Sequence, residues 1–179
     1  PVPAGEGEGL KFDGVDDCIN QAMEVGLSSN VTFCAWAYPS ESTNAVKGII
    51  ASEVSSYGNY WIMLGTFQNK WHFGIYDGVH NPYIINPLST YDVNTWSYVV
   101  GISDIVSKKI YLYVNGVYST ELQYSSITIP TYSNLNIGAQ ITQSGRRFKG
   151  MVGIAKIYNR AISETEIIQN YNAMKGRYL

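Results

Sequence analysis

Charge is scarce in this sequence. Asp, Glu, Lys and Arg make up 15% of its 179 residues, with 12 basic against 14 acidic side chains and a formal net charge of -2. Proteins that hold nucleic acid neutralise phosphates with dense Lys and Arg, and twelve scattered cations form no such patch. Nucleic acid is therefore not an expected partner. Histidine is limited to His72 and His80 and cysteine to Cys18 and Cys34. The two histidines lack zinc-ligand spacing, and two cysteines alone cannot make a four-cysteine zinc site. Each histidine reads as a surface or loop residue. The cysteines fall on different predicted strands, so a disulfide would need those strands to be neighbours; the plainer reading is two small buried hydrophobes in a reduced compartment. Long apolar runs are missing as well. The longest, such as YVVGI over 98–102, are strand-sized, and no membrane insertion is expected. The opening stretch PVPAGEGEG has neither the basic region nor the apolar core of a secretion signal.

Paired carboxylates are the next absence. A retaining glycosidase needs two of them about 5–5.5 Å apart. The nearest cluster, Glu164 and Glu166, lies where a helix is predicted to start, and acids there serve the helix dipole and the cap. The sequence predicts no enzyme.

What is present is β-structure. Short apolar or alternating runs, punctuated by Gly, Asn, Asp, Ser and Pro, predict strands at about 10–13, 17–21, 31–39, 48–52, 60–66, 70–76, 95–104, 108–114, 117–122, 134–138 and 149–158. In VNGV, Asn115 and Gly116 suit a two-residue hairpin turn, which sets Tyr113 opposite Tyr118. SDIVSKK (103–109) and TFQNKW (66–71) are polar interruptions that predict further antiparallel neighbours. One helix is expected over 163–175. Ser163 and Glu166 form a capping box, with Ile162 and Ile167 as a hydrophobic staple. Ile167, Tyr171 and Met174 share a face, and Gly176 supplies a left-handed stop. The expected architecture is all-β, a two-sheet antiparallel β-sandwich of jelly-roll type with one short C-terminal helix as its lid. Residues 1–9 form an extended N-terminal arm, and 10–179 form the domain.

Several stretches together resemble the laminin-G-like branch of the concanavalin A-like lectin and glucanase superfamily. LKFDGVDDCI (10–19) resembles its opening motif, and VTFCAWAYP (31–39) its Trp-bearing strand that ends at Pro. NTWSYVVGIS with KKIYLYVNGV is similar to its W-x-hydrophobic-V strand and following hairpin, and LNIGA with FKGMVGIAKIYNRAISETEI to its closing elements. The motifs come in the family's order along nearly the whole chain. The resemblance implies a jelly roll with a curved, often ligand-bearing face. Two positions depart from the family pattern: 18 is Cys where the family often has Tyr, and Cys34 sits where pentraxin-like relatives carry a cysteine, though their partner position here falls near Val99 and Val100. The E-x-D-x-x-E strand of the glucanase branch does not occur. The ending from Asn170 to Arg177 is similar to the C-termini of laminin-G-like domains in tailed-phage virion proteins.

Candidate sites follow from chemistry and resemblance together. DGVDD gathers Asp13, Asp16 and Asp17, a set that suits calcium, which takes six to eight oxygens; the other reading is a turn whose acids bond their own backbone. A glycan site combines an aromatic platform with polar groups for hydroxyls. Tyr57 and Tyr60 in SSYGNYW, and Tyr76, Asp77, His80, Asn81 and Tyr83 around the following loop, offer that mixture. In KWHFGIY, Trp71, Phe73 and Ile75 alternate with His72, Gly74 and Tyr76, so one set faces the core. Trp36 and Trp96 are expected in the core. Arg146 and Arg147 in GRRFK could meet an acidic sugar, a neighbouring subunit's carboxylates, or only solvent.

The expectation is a non-catalytic, lectin-like domain on a virion surface, a fibre, decoration or adhesion protein shown in multiple copies to cell-surface glycan. A secreted or extracellular setting is the alternative location. A module that only attaches to a capsid or tail structural protein is the alternative function, and a glucanase-like hydrolase is third.

Overall fold

Apolar runs and β-branched residues place the strands, and the sandwich decides which runs are buried on one face and which on both. The computed structural model describes residues 9–26, 30–53, 60–77, 83–125, 127, 131–141 and 145–179. Residues 1–8 of the predicted arm lie outside the described residues. Among those described, twelve strands and one helix form. They are β1 (Leu10–Asp13), β2 (Ile19–Gly26), β3 (Val31–Pro39), β4 (Lys47–Glu53), β5 (Tyr60–Phe67), β6 (Lys70–Asp77), β7 (Tyr83–Ile85), β8 (Ser97–Asp104), β9 (Lys109–Val114), β10 (Val117–Gln123), β11 (Thr131–Ile137), β12 (Lys149–Tyr158) and α1 (Glu164–Tyr178). One six-stranded antiparallel sheet has the order β1-β12-β3-β8-β9-β10, and the second has the order β2-β11-β4-β5-β6-β7. The chain passes between sheets after β1, β2, β3, β7, β10 and β11, the jelly-roll pattern.

The inner faces meet in one core. Phe33, Ala35, Val99, Ile110 and Leu112 of the first sheet pack with Ile50, Ile62, Leu64, Phe73 and Ile75 of the second. Phe33 and Phe73 meet edge to face at 6.4 Å. Gly101 is required at that junction, because a Cβ there would collide with the Phe73 ring.

β3 and β8 are buried on both faces, which explains their unbroken apolar character. The second cover is α1. Trp36 stacks on Tyr178 at 4.6 Å and on Tyr171 at 5.7 Å, and Ile162 and Ile167 join the same cluster as the expected staple. Trp36 and Trp96 are in the core, but in this helix-facing layer. The capping box is present in full. The hydroxyl of Thr32 donates to the carbonyl of Arg160 and accepts from the amide of Ile162, tying the helix entrance to β3.

The helix corrects one expectation. It runs to Tyr178 rather than stopping at Gly176. A helical glycine costs about 1 kcal/mol relative to alanine, and burial of Tyr178 outweighs it. That ring lies against Trp36 and Trp96, and its hydroxyl accepts from the amide of Ile154.

The hairpins form where the turns were expected. Asn115 and Gly116 both have positive φ, and Tyr113 faces Tyr118. Gln68 and Asn69 also take positive φ, so the β5–β6 turn is equally tight. β2 starts at Ile19 rather than 17, and β7 is an additional strand. Cys34 pairs in register with Val100 and is buried, while Cys18 is exposed, so only one of the two behaves as a buried hydrophobe. Burial pushes the Cys34 thiol up to about 11, which makes it unreactive near neutral pH.

Candidate functional site

The alternation that buries one side of the second sheet turns a second set of side chains outward. Opposite the core residues, register aligns Asn20, Asn136, Ala51, Met63, Gly74 and Ile84 in one row across the sheet. The next row holds Asn134, Glu53, Trp61 and Tyr76. On the other side lie Gly48, Gly65 and His72. Glycines at 65 and 74 keep this face close-fitting. A Cβ on Gly65 would strike the carbonyl of Lys47, and one on Gly74 would crowd Trp61 and Ile84.

Residues 138–141 and 145–148 fold over the end of this face. Arg146 accepts from the amides of Gly48 and Gln140 through its carbonyl, both at 3.1 Å, and Phe148 N donates to Gly138 O at 2.8 Å. Gly48 permits the approach, since a Cβ there would sit 2.7 Å from Gln140 N. The fold-over delivers Gln140 and the half-buried Arg146 to the same face as Glu53 and His72.

Polar groups are thus gathered where the sheet is otherwise apolar. Glu53, Asn136 and Gln140 are 0% exposed and His72 is 1% exposed. Arg146 Nη1 donates to Gln140 Oε1 at 2.5 Å, and Asn20 Nδ2 donates to Asn136 Oδ1 at 2.6 Å. Both amides are oriented by these bonds, so that each NH2 remains as the free end. Asn86 Oδ1 lies 3.1 Å from His72 Nδ1; a carbonyl only accepts, so the ring proton sits on Nδ1 and Nε2 is an acceptor. His72 Nε2, Asn136 Nδ2 and Gln140 Nε2 have no hydrogen-bond partner among the described residues. Burial, with help from the Arg146 charge, lowers the His72 pKa to about 4 against the opposing bond from Asn86. Burial also pulls Arg146 below its ordinary value, while the carboxylate of Glu53 acts in the other direction. The rings of Trp61 and Phe67 flank the imidazole at 6.4 and 6.1 Å.

The expected site residues divide. Tyr76 belongs to this face and packs against Trp61 at 6.2 Å. Tyr60 and Asp77 are cross-strand partners at the open end of the β5–β6 hairpin; their side chains, like Tyr57, His80 and Asn81, lie outside the described residues. Tyr83 is corrected. It pairs with Ile75 and lies 5.3 Å from Tyr124, on the core side. His72 is also corrected, from a surface or loop residue to a buried strand residue, because its strand neighbours Trp71 and Phe73 take the core side. Arg146 and Arg147 part company: Arg147 turns to the first loop and donates to the carbonyl of Asp16 at 3.2 Å.

Glu53, Asn136 and Gln140 were not expected from sequence. Their signal was a polar residue interrupting an apolar run, as Asn136 does between Leu135 and Ile137.

The first loop forms the turn that was one of its two expected readings. Asp13 Oδ1 accepts from the amides of Val15 at 2.7 Å and Asp16 at 3.3 Å, and Asp17 Oδ2 accepts from Asp13 N at 3.0 Å. The Val15 amide is the main cause of a lowered Asp13 pKa. Oxygens of Asp13, Asp16 and Asp17 also lie within 4.8 Å of one another, the span of two ligands across a calcium ion with bonds of about 2.4 Å. The donor set fits calcium; the ion would draw its further oxygens from backbone carbonyls and water. Carboxylates for hydrolysis do not assemble at the helix start. Glu166 is held by Arg160, which lowers its pKa to about 2, and by the cap.

Known proteins place the architecture. The carbohydrate-binding module CBM40 of the Ruminococcus gnavus IT-sialidase, solved with α2,3-sialyllactose, superposes with a TM-score of 0.74 at 14% identity, covering 93% of this chain and 96% of that one. The SAP-like pentraxin of Limulus polyphemus gives 0.68 at 12% identity over 88% and 78% of the two chains. The NanB sialidase of Streptococcus pneumoniae gives 0.73 at 15% identity, with 90% of this chain covering 27% of that one. At these identities the likeness is one of fold. No curated protein matches the sequence. A laminin-G-type model of the concanavalin A-like lectin/glucanases superfamily matches residues 13–168, and the chain belongs to that superfamily.

Proposed function

We propose that this chain is a non-catalytic, lectin-like domain that binds carbohydrate on the outer face of its second sheet. The observation that carries the reading is a set of polar side chains buried on this face, His72, Asn136 and Gln140, each with a polar atom that lacks a hydrogen-bond partner among the described residues, on a face that also bears Trp61 and Tyr76. Buried polar atoms without partners cost stability. A ligand rich in hydroxyls would supply the missing bonds, while the aromatic side chains take its apolar edge. The same fold carries a sialyllactose-bound module in the Ruminococcus gnavus sialidase, which supports the reading by analogy.

The setting we propose is a virion surface, where the domain would serve as a fibre, decoration or adhesion element. Its support is the likeness of the segment from Asn170 to Arg177 to phage laminin-G-like C-termini. Multiple copies would convert weak single-site binding into avidity. Calcium on Asp13, Asp16 and Asp17 would brace the first loop against β12, to which β1 is paired.

The test is a glycan array probed with the folded, multivalently presented domain, once with calcium and once with a chelator. Binding that Arg146→Ala abolishes supports the reading, and loss on chelation adds the ion. Silence in both conditions transfers the domain to attachment on a capsid or tail protein without a sugar site.

A further inference from the structure

We propose that the cavity between α1 and the first sheet is a specific site for one water molecule, which accepts from Trp36 Nε1, bonds the Tyr98 hydroxyl and so completes the seat of the helix. The site is independent of the carbohydrate reading, since it lies on the other sheet.

Four elements build the cavity. Cys34 and Trp36 come from β3, Tyr98 from β8, Ile154 and Lys156 from β12, and Asn170 and Met174 from α1. Its volume is about 10 Å³, on the scale of a single water and too small for a larger ligand. Trp36 and Tyr98 are direct cross-strand partners with ring centroids 5.5 Å apart, so the two side chains stand together at the cavity wall. They are 1% and 4% exposed, and neither Trp36 Nε1 nor the Tyr98 hydroxyl has a hydrogen-bond partner among the described residues. Polar neighbours are close without completing them. The Cys34 thiol and the Asn170 amide both act on the ionisation of Tyr98, yet neither makes a formed bond to its hydroxyl. Asn170 Nδ2 donates instead to the Tyr158 hydroxyl at 3.3 Å.

The chemistry of these groups selects the occupant. An indole N–H only donates, so whatever meets Trp36 must accept; a hydroxyl takes either role. Burial, with the Cys34 thiol, raises the Tyr98 pKa, so the hydroxyl keeps its proton. Water answers both groups, and Asn170 on the wall is a further polar contact for a molecule that makes about three hydrogen bonds when buried. An anion would also accept from both donors. It would be a buried charge, however, and the cation at this wall, Lys156, is exposed to solvent. Left bare, the two polar atoms oppose closure of the helix over the sheet; bridged by water, they hold it.

The test is a crystal structure of the whole chain at a resolution that shows ordered solvent, with Tyr98→Phe beside the wild type. A water about 2.7–3.2 Å from both Trp36 Nε1 and the Tyr98 hydroxyl is expected in the wild type. In solution the Trp36 indole proton, assigned by its loss in Trp36→Phe, should show an NMR cross-peak to bound water. Tyr98→Phe should melt about 2–4 °C lower, the shift that one lost hydrogen bond gives in a chain of this size. A cavity that is dry, closed by a side chain or filled by a halide overturns the inference. A higher melting temperature in Tyr98→Phe does so too, because removing a bare buried hydroxyl relieves a cost. If Tyr98→Phe does not fold, the wild-type crystal and the indole cross-peak decide. None of these outcomes alters the glycan test, which addresses the second sheet.

Discussion

The two sheets of this sandwich bury their outer faces in opposite ways. On the first, Trp36, Tyr98, Val100 and Ile102 lie under a helix that matches them with Ile167, Tyr171 and Tyr178. On the second, the covering of Ala51, Trp61 and Met63 is interrupted by Glu53, His72, Asn136 and Gln140. The first arrangement is closed by rings stacked on rings, although Trp36 Nε1 and Trp96 Nε1 also lack hydrogen-bond partners among the described residues. The second leaves polar valences that the described residues do not fill. The two sheets thus differ in their cover: aromatic rings under a helix on the first, and apolar residues interspersed with buried polar side chains on the second.

The largest expected effect tests the stability side. Trp36→Ala should cost about 3–5 kcal/mol in urea denaturation, as removal of a fully buried Trp does, and leave glycan affinity per folded molecule unchanged. A parallel loss of affinity would mean that the faces are coupled. Next comes acid. The pKa of His72 is lowered on folding from 6.5 to about 4, so as pH falls the unfolded chain takes up the proton first. Its stabilising contribution is intact above pH 6.5 and is lost progressively down to pH 4, about 3 kcal/mol over that window. Denaturation across that range should show this slope in the wild type and a flatter one in His72→Gln.

Gln140→Met should show the reverse of Trp36→Ala. Its stability cost is about 1.5–3 kcal/mol, the worth of a hydrogen bond to a charged partner, against an affinity loss of about tenfold or more in titration calorimetry. Equal effects on both would remove the distinction between the faces. The smallest effect belongs to the helix cap. Ser163→Ala should lower stability by about 1 kcal/mol, measured by thermal melting, with no change in binding, since Ser163 lies in the lid of the other sheet.

Much of the fold was legible because its signals are local. Asn115-Gly116 needs no tertiary partner to favour a tight turn, and Ser163 with Glu166 caps a helix through atoms three residues apart. The sandwich followed from strand-sized runs and from motifs in a recognisable order. The helix end was less legible. Gly176 carries a local stop signal, but the stacking of Tyr178 on Trp36 spans more than a hundred residues and overrides it. Tyr83 was misplaced for a similar reason, since its side of the sheet depends on pairing with Ile75.

The candidate site was the least legible part. Tyr76 and Arg146 could be named from composition, because aromatic and cationic residues suit sugars. Asn136 and His72 looked like ordinary interruptions of strands, and Glu53 like a strand terminus. The sequence by itself determined the strand pattern, the turns, the capping box and the scarcity of charge, all of which are set by neighbouring residues and composition. Only the tertiary structure decided which polar residues are buried together. That depends on the register of β11 against β4 and on the fold-over at Gly48, where the absence of a side chain lets residues 138–141 and 145–148 carry Gln140 and Arg146 onto the face that Glu53 and His72 reach from different strands.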